Sequence, residues 1–473
     1  MIQAAATLEL KNRETQEFRS YVSLANPRFM WFKHCVIIGD VLEKIVSGTI
    51  KNAMFFLPPR SGKSELVVRM LAGYYLRKYP TRMVGLASYA SDLAHGLSRD
   101  ARDGFERAEQ KVREDVTATR EWLTTQGGGM WATGVRGPIT GKGFHLGITD
   151  DPLKNEVEAY SDRVREGINE WYDATWYTRR EPEAAEVLVM TRWHEHDLAG
   201  YLLAKEKDEP RNWHIVHLEA LKEQGKPNYP ATCTVEPDWR EVNQALCPER
   251  YDERALLTTR NTVGSIFWNA LYQQRPTTPE GEIWKRVWFK KLKATQELLQ
   301  TISDIGFDWD SAYTEKEQNS ASAFVKAGRD SQNNVYILDF GFRWVEFPAL
   351  IRWMSDEVGP HYVEQKASGK SAVQVLKNFG ISAKEVKVEG GLDKIGRTKL
   401  TTPAAETGHV YVAEHIFDRL LDDSKQGLLK FPNGENDDVN DALVQAINRL
   451  YKKRTIHFGW LGNQDEDEES SQN

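Results

Sequence analysis

The stretch AMFFLPPRSGKSELVVRMLAGYYLRKYP, residues 53–80, limits what this chain can fold into more than any other. A short apolar run enters a turn holding Gly62, Lys63 and Ser64, and an amphipathic helical pattern leaves it, ended by Pro80. Strand, turn and helix in that order open a βαβ unit, whose parallel strands need helical crossovers. Further apolar runs at 83–87, 144–148 and 187–190 alternate with helical patterns, so the first half reads as a mainly parallel α/β sheet. With 473 residues, 40% of them hydrophobic and 15 of them Trp, the chain exceeds a single small binding module and can bury sizeable cores.

No apolar run approaches the roughly 20 residues that cross a bilayer, and the N-terminal stretch lacks the layout of a signal peptide, so residence in the cytoplasm is expected. Cys35, Cys233 and Cys247 are odd in number and widely spaced, which predicts free thiols. The net charge of −7 gives no global basic footprint. Much of it, however, lies in five consecutive acids, Asp465 to Glu469, in a stretch with almost nothing apolar, which predicts a disordered tail over 456–473. The near-neutral body can still carry a basic channel.

Residues Pro59, Arg60, Ser61, Gly62, Lys63 and Ser64 supply the parts of a phosphate-binding loop. Backbone N–H groups at a helix N-terminus face phosphate oxygens, the lysine reaches the β/γ-phosphates, and the serine hydroxyl reaches Mg²⁺. Leu57 stands where the usual pattern has its first glycine, so the tripeptide alone is also compatible with an ordinary loop. In LGITDD (146–151), Asp150 and Asp151 follow an apolar run directly. One such carboxylate can hold Mg²⁺ while its neighbour orients the attacking water, giving a Walker B element, although solvated acids after a strand are the plain alternative. The glycine-rich GGGMWATGVRGPITGKG between them carries Arg136 and Lys142, cations suited to a phosphate on a neighbouring subunit or on DNA, or else part of a simple hairpin. Thr191 ends the run at 187–190 and is placed to sense a γ-phosphate. The His194-Glu195-His196 triplet lacks the i, i+4 spacing of a helical zinc site.

RPTTPEGE (275–282) reads as a linker. Beyond it come three strand-like runs, a helical stretch, the short strand HYVE (361–364) and another helix. Alternation in IGFDWDSA puts Asp308 and Asp310 on one strand face. Glu364 ends a strand, and Asp437, Asp438 and Asp441 open a helix. Each acid taken singly suits a helix cap or a solvated strand end. Taken jointly, acids on a first strand, a later strand and a terminal helix have the order of an RNase H-like nuclease, which needs carboxylates around a pair of divalent ions.

PPRSGKSE, ASYASDLAHGLSRDAR, GPITGKGFHLGITDDPLKN, MTRWHEHDLAGYLL and FWNALYQQRP together closely resemble the large terminase subunit of tailed bacteriophages, over most of the chain. The resemblance implies an additional-strand P-loop ATPase over 1–272 with a helical lead-in at 1–50, a linker at 273–299 and an RNase H-like nuclease over 300–455. It implies ATP and Mg²⁺ as cofactors, with Mn²⁺ also usable by the nuclease. Arg60 would be the P-loop arginine, Lys63 and Ser64 the nucleotide and Mg²⁺ contacts, Asp150 the Walker B acid, Asp151 the catalytic carboxylate, Thr191 the coupling residue and Arg136 the trans-acting arginine. In the nuclease, Asp310-Ser311-Ala312, then Glu364 with Gly369, then Asp437 to Ala442 match the family pattern, with Asp310, Glu364 and Asp438 as principal metal ligands and Asp308 and Asp441 as second choices. Lys394 and Arg397 match a basic segment suited to the DNA backbone. One departure stands out: many terminases have glutamate where this chain has Asp151.

The implied activity is ATP-driven translocation of double-stranded viral DNA into a procapsid, with cleavage of concatemers. Implied partners are that DNA, the portal, the small subunit and further copies in a ring of five, with no membrane. The protein would work in the host cytoplasm and transiently on the procapsid, and be absent from the mature virion. The alternatives are a translocase or helicase with a non-cleaving RNase H-like half, and a non-catalytic capsid-docking component.

Overall fold

The computed structural model describes residues 17–139, 141–225, 227–276, 283–311, 321–365, 367–387 and 392–451. Ala312 and the acidic tail lie outside the described residues. The chain forms two compact units, one of residues 1–283 with 389–407, the other of 284–388 with 408–473.

The first unit is built on a nine-stranded sheet: β1 (Asn52–Phe56), β2 (Met83–Ser88), β3 (Val112–Ala118), β4 (Glu121–Thr124), β5 (Gly129–Gly134), β6 (Phe144–Asp150), β7 (Arg180–Met190), β8 (His214–His217) and β9 (Thr234–Val235). Their order is β3-β4-β5-β2-β6-β7-β1-β8-β9, and all pairings are parallel except at the β3-β4-β5 edge. Strand alternation sends Phe55, Val84, Leu86, Leu146, Val187 and Val189 into one core and Met54, Phe56, Ala87, Leu188, Met190 and Ile215 into another. A sheet buried on both faces is why its strands appear in the sequence as continuous apolar runs. Helices α1 (Lys33–Val46), α2 (Leu71–Lys78) and α3 (Ser91–Arg107) serve the first core, and α4 (Leu198–Lys205) the second. Between the phosphate-type loop and α2 the backbone forms a π-helical turn, Glu65–Met70.

The second unit holds β10 (Lys290–Leu292), β11 (Ser303–Asp310), β12 (Ser322–Arg329), β13 (Val335–Arg343), β14 (His361–Glu364), β15 (Ala383–Val386) and β16 (Val410–Ala413), ordered β10-β16-β13-β12-β11-β14-β15. β11, β12 and β13 form an antiparallel meander, and β14 joins β11 in parallel with β15 beyond it. That is the RNase H-like arrangement. Helices α5 (Phe347–Asp356) and α6 (Ala367–Asn378) are consecutive with β14 between them, and α7 (Asp438–Leu450) packs on β11 and β12.

The continuous span 300–455 expected for the second domain is interrupted. Residues 389–407 belong to the first unit, where the helix Lys394–Glu406 lies against the helix Glu253–Phe267. The Glu406 carboxylate accepts from Ser265 N at 2.8 Å and from its hydroxyl at 3.1 Å. No local sequence signal reports a contact across 141 residues. Among the described residues, no helix is long and apolar enough to cross a membrane.

Candidate functional site

β1 runs buried to Phe56, and Pro58 and Pro59, which lack N–H groups, end it. The chain then turns through left-handed backbone at Arg60 (φ 63°) and Gly62 (φ 80°). A Cβ on Gly62 would meet nothing within 4 Å, so backbone conformation, not crowding, calls for glycine there. Such a turn directs successive N–H groups inward as an anion nest. His34, on α1, donates from Nε2 to the Ser61 carbonyl at 2.9 Å, and Asn26 donates to Glu65 at 2.8 Å, so the residues before β1 hold the loop from outside. Burial pushes His34 below its ordinary titration range.

Because β7 lies beside β1 and β6 beside β7, their C-terminal ends meet the loop, the place where open α/β sheets bind ligands. The Lys63 ammonium donates to the Thr191 hydroxyl at 2.5 Å and lies 3.3 Å from Asp151 Oδ2. Ser64 donates to Asp150 Oδ1 at 3.1 Å, and Asp151 Oδ1 accepts from Thr191 N at 2.8 Å. Five residues expected to act on a nucleotide therefore form two bonded sets, Lys63 with Thr191 and Asp151 and Ser64 with Asp150, that are neighbours along the chain. Burial first, then the charge of Asp151, pushes the Asp150 carboxyl up to about 7 against the pull of Lys63 and the Ser64 hydroxyl. Asp151 adopts φ 39°, a left-handed conformation that Asp tolerates better than most residues, so the shorter acid suits this backbone. A buried carboxylate beside a serine hydroxyl is a hard oxygen donor set that fits Mg²⁺.

Arg136 stands apart from this group. It is exposed on the turn after β5, with φ 65° and its guanidinium against Gly167, and it has no hydrogen-bond or ion-pair partner among the described residues. Lys142 pairs with Glu121 at 2.5 Å. His194 is driven down to about 3, by burial above all and then by Arg165 and Lys399. A cavity of about 470 Å³ opens between Lys33, Trp239, Arg240, Gln244 and Leu246. Lys33 adjoins the His34 that grips the loop, and the Leu246 N–H donates to the carbonyl of Ala220, just beyond β8.

In the second unit, Asp308 and Asp310 share a face of β11, but their surroundings differ. Asp308 is fully buried and forked by Arg449, with Nε to Oδ1 at 3.0 Å and Nη2 to Oδ2 at 2.7 Å, and Gln445 adds a bond at 3.3 Å. Its oxygens are committed to a structural ion pair. Asp310 lies at the end of β11, and the adjacent parallel β14 ends in Glu364, each one residue beyond the paired Trp309 and Val363. Asp438 opens α7, accepting from Gln426 at 2.7 Å and from Ala321 N at 3.3 Å. Burial, and after it the charges of Asp310 and Asp437, push its carboxyl upward. Asp441 is buried one turn along α7. Mutual repulsion between Asp310 and Asp438 suits a divalent cation, although among the described residues no three His, Cys, Asp or Glu side chains are gathered at metal-holding distance.

Residues 54–305 match the family described as Terminase large subunit, T4likevirus-type, N-terminal, over more than half of the chain. The chain belongs to the terminase large subunits. No curated protein matches it. Among solved structures it is similar to the large terminase of a thermophilic bacteriophage, at 12% identity and a TM-score of 0.46, covering 91% of this chain and 99% of that one. The same phage's large terminase in complex with ADP matches at 11% identity and a TM-score of 0.44, covering 88% and 99%. The large terminase nuclease of another thermophilic phage, with bound magnesium, matches at 15% identity and a TM-score of 0.25, covering 37% and 100%. In this terminase large subunit, β7 lies between β1, which leads into the phosphate-type loop, and β6, the additional-strand order. Sequence reasoning missed His34, Asn26 and Arg449, whose roles rest on partners 27, 39 and 141 residues away.

Proposed function

We propose that the first unit of this terminase hydrolyses ATP to move double-stranded viral DNA and that the second cuts that DNA. The observation that carries the reading is the pairing, on three adjacent strand ends, of Lys63 with Thr191 and Asp151 and of Ser64 with Asp150. Backbone N–H groups from Pro59 to Ser64, with Arg60, cradle the phosphates, and Lys63 exchanges its present partners for β/γ-oxygens. Ser64 and Asp150 hold Mg²⁺, which neutralises charge on the phosphates when bound. Asp151, fixed by the Thr191 amide, orients the attacking water and takes up its proton, and the Thr191 hydroxyl registers loss of the γ-phosphate. The cavity beside Trp239 receives the base. Exposed Arg136 acts in trans, on a phosphate of the neighbouring copy in a ring of five.

In the second unit, Asp310, Glu364 and Asp438, with Asp441 as a further candidate, would hold Mg²⁺ or Mn²⁺, which would supply charge stabilisation at the scissile phosphate. Asp308 serves the fold. Lys394 and Arg397, on the helix that belongs to the first unit, meet the DNA backbone. The portal, the small subunit and concatemeric viral DNA are the partners, and the site of action is the host cytoplasm and the procapsid vertex. The test combines DNA-stimulated ATPase with plasmid cleavage in Mn²⁺ on the full chain. Lys63→Ala is expected to lower ATPase by roughly 10²–10³-fold and leave cleavage intact, and Asp310→Ala to do the reverse. Cleavage by Asp310→Ala and Glu364→Ala variants at the parental rate would overturn the assignment of the cutting site to these acids, and a parent that does not cleave while ATPase persists would be a translocase without a cutter. Absence of turnover even with DNA and procapsids would leave a docking component.

A further inference from the structure

Residues 273–275 send consecutive side chains to three anchors, the middle one next to Thr191 of the phosphate site. Gln273 exchanges two bonds with the Leu221 backbone, at 3.2 and 2.7 Å, and Arg275 pairs with Glu219 and lies 3.4 Å from Glu223. Between them Gln274, only 2% exposed, accepts from the Arg192 N–H at 3.0 Å and donates to the Leu271 carbonyl. Its φ of 56° is uncommon for glutamine and persists where surrounding bonds over-determine it.

The Arg192 amide belongs to the peptide that follows Thr191. Thr191 is thus pinned on three sides: its own N–H by Asp151 at 2.8 Å, its hydroxyl by Lys63 at 2.5 Å, and its next peptide by Gln274. A planar peptide transmits that restraint directly to the Thr191 carbonyl and its ψ angle. We infer that Gln274 is a positioning residue for ATP hydrolysis, holding the Thr191–Arg192 peptide so that Thr191 and Asp151 stay in register with Lys63. This rests on the ATPase reading. Gln274 acts through Thr191, and so bears on turnover more than on nucleotide binding.

The experiment measures kcat, KM and ADP affinity of the full chain with DNA, for the parent, Lys63→Ala, Gln274→Met and Gln274→Glu. Methionine keeps the volume and loses the acceptor, whereas glutamate keeps an acceptor for the Arg192 amide. Gln274→Met is expected to lose roughly ten- to a hundredfold in kcat with KM and ADP affinity within about threefold, and Gln274→Glu to retain most of the rate. Hydrogen exchange on the unmodified chain gives a reading independent of any variant's folding, with the Arg192 amide expected to be protected. Parental kcat in Gln274→Met, an equal loss in both variants, or an Arg192 amide exchanging as fast as an exposed loop overturns the assignment. A parent without ATPase, or an unaffected Lys63→Ala, overturns the ATPase reading instead.

Discussion

At the tip of β6, Asp151 faces the Lys63 ammonium and Asp150 takes the Ser64 hydroxyl, whereas at the start of α7 the charges acting on Asp438 are two more acids, Asp310 and Asp437. The first site carries its own counter-charge, so an incoming triphosphate competes with Asp151 for a lysine already in place. The second gathers negative charge around Asp438, whose donors Gln426 and the Ala321 amide are neutral.

Asp308 lets this contrast be broken within one strand, since Arg449 gives this fully buried acid of β11 a resident cation. Arg449→Leu strands a fully buried carboxylate and is expected to cost about 3–5 kcal/mol, read by chemical denaturation. Asp308→Asn keeps one acceptor oxygen for Arg449 Nε and Gln445 but sets an N–H against Arg449 Nη2, so it should lose stability and yet retain plasmid cleavage when folded; loss of cleavage by the folded variant would make Asp308 a ligand after all. In the first site, Asp151→Asn keeps an acceptor for Thr191 N but removes the charge opposite Lys63. Its kcat is expected to fall about a hundredfold, with ADP affinity little changed.

Glu43 sharpens the comparison because it is a buried acid held by neutral groups, Phe18 N at 2.7 Å and Tyr74 Oη at 3.0 Å. Burial pushes its carboxyl up to about 7 from the usual 4.5. The folded state therefore keeps a proton that the unfolded chain releases, and this contribution is full below pH 4.5 and lost as the pH rises through 7. Glu43→Gln should match the parent at pH 4 and exceed it by about 2–3 kcal/mol at pH 8, measured as unfolding free energy. The smallest effect is expected at Gln426, which donates to Asp438 and accepts from Val439 N in the first turn of α7. Gln426→Ala should cost about 1 kcal/mol, as for a lost helix cap, seen as a lower thermal midpoint.

The same contrast governs what could be read before any coordinates. The phosphate site is made of contiguous pieces, PPRSGKSE after one strand, TDD after another and Thr191 after a third, and strand-end placement follows from the apolar runs. The RNase H-like order of strands and the sharing of a face by Asp308 and Asp310 were equally legible, because a period of two is a local property. The differing surroundings of Asp308 and Asp310 were not. Arg449 lies on the last helix, and nothing near it marks an ion-pair partner. The π-helical turn at Glu65–Met70 and the hold of His34 on Ser61 were hidden for the same reason, since tertiary contacts, not local preference, select them.

The loan of residues 389–407 to the first unit bears on how the protein can be dissected. A fragment ending near residue 283 would lack the helix Lys394–Glu406, leaving Ser265 without its carboxylate partner and uncovering the backbone of Tyr160 against which Gly396 sits. Low solubility or weak turnover in such a fragment would report a missing piece of its own surface, so single-residue knockouts in the intact polypeptide are the sounder way to separate the two chemistries.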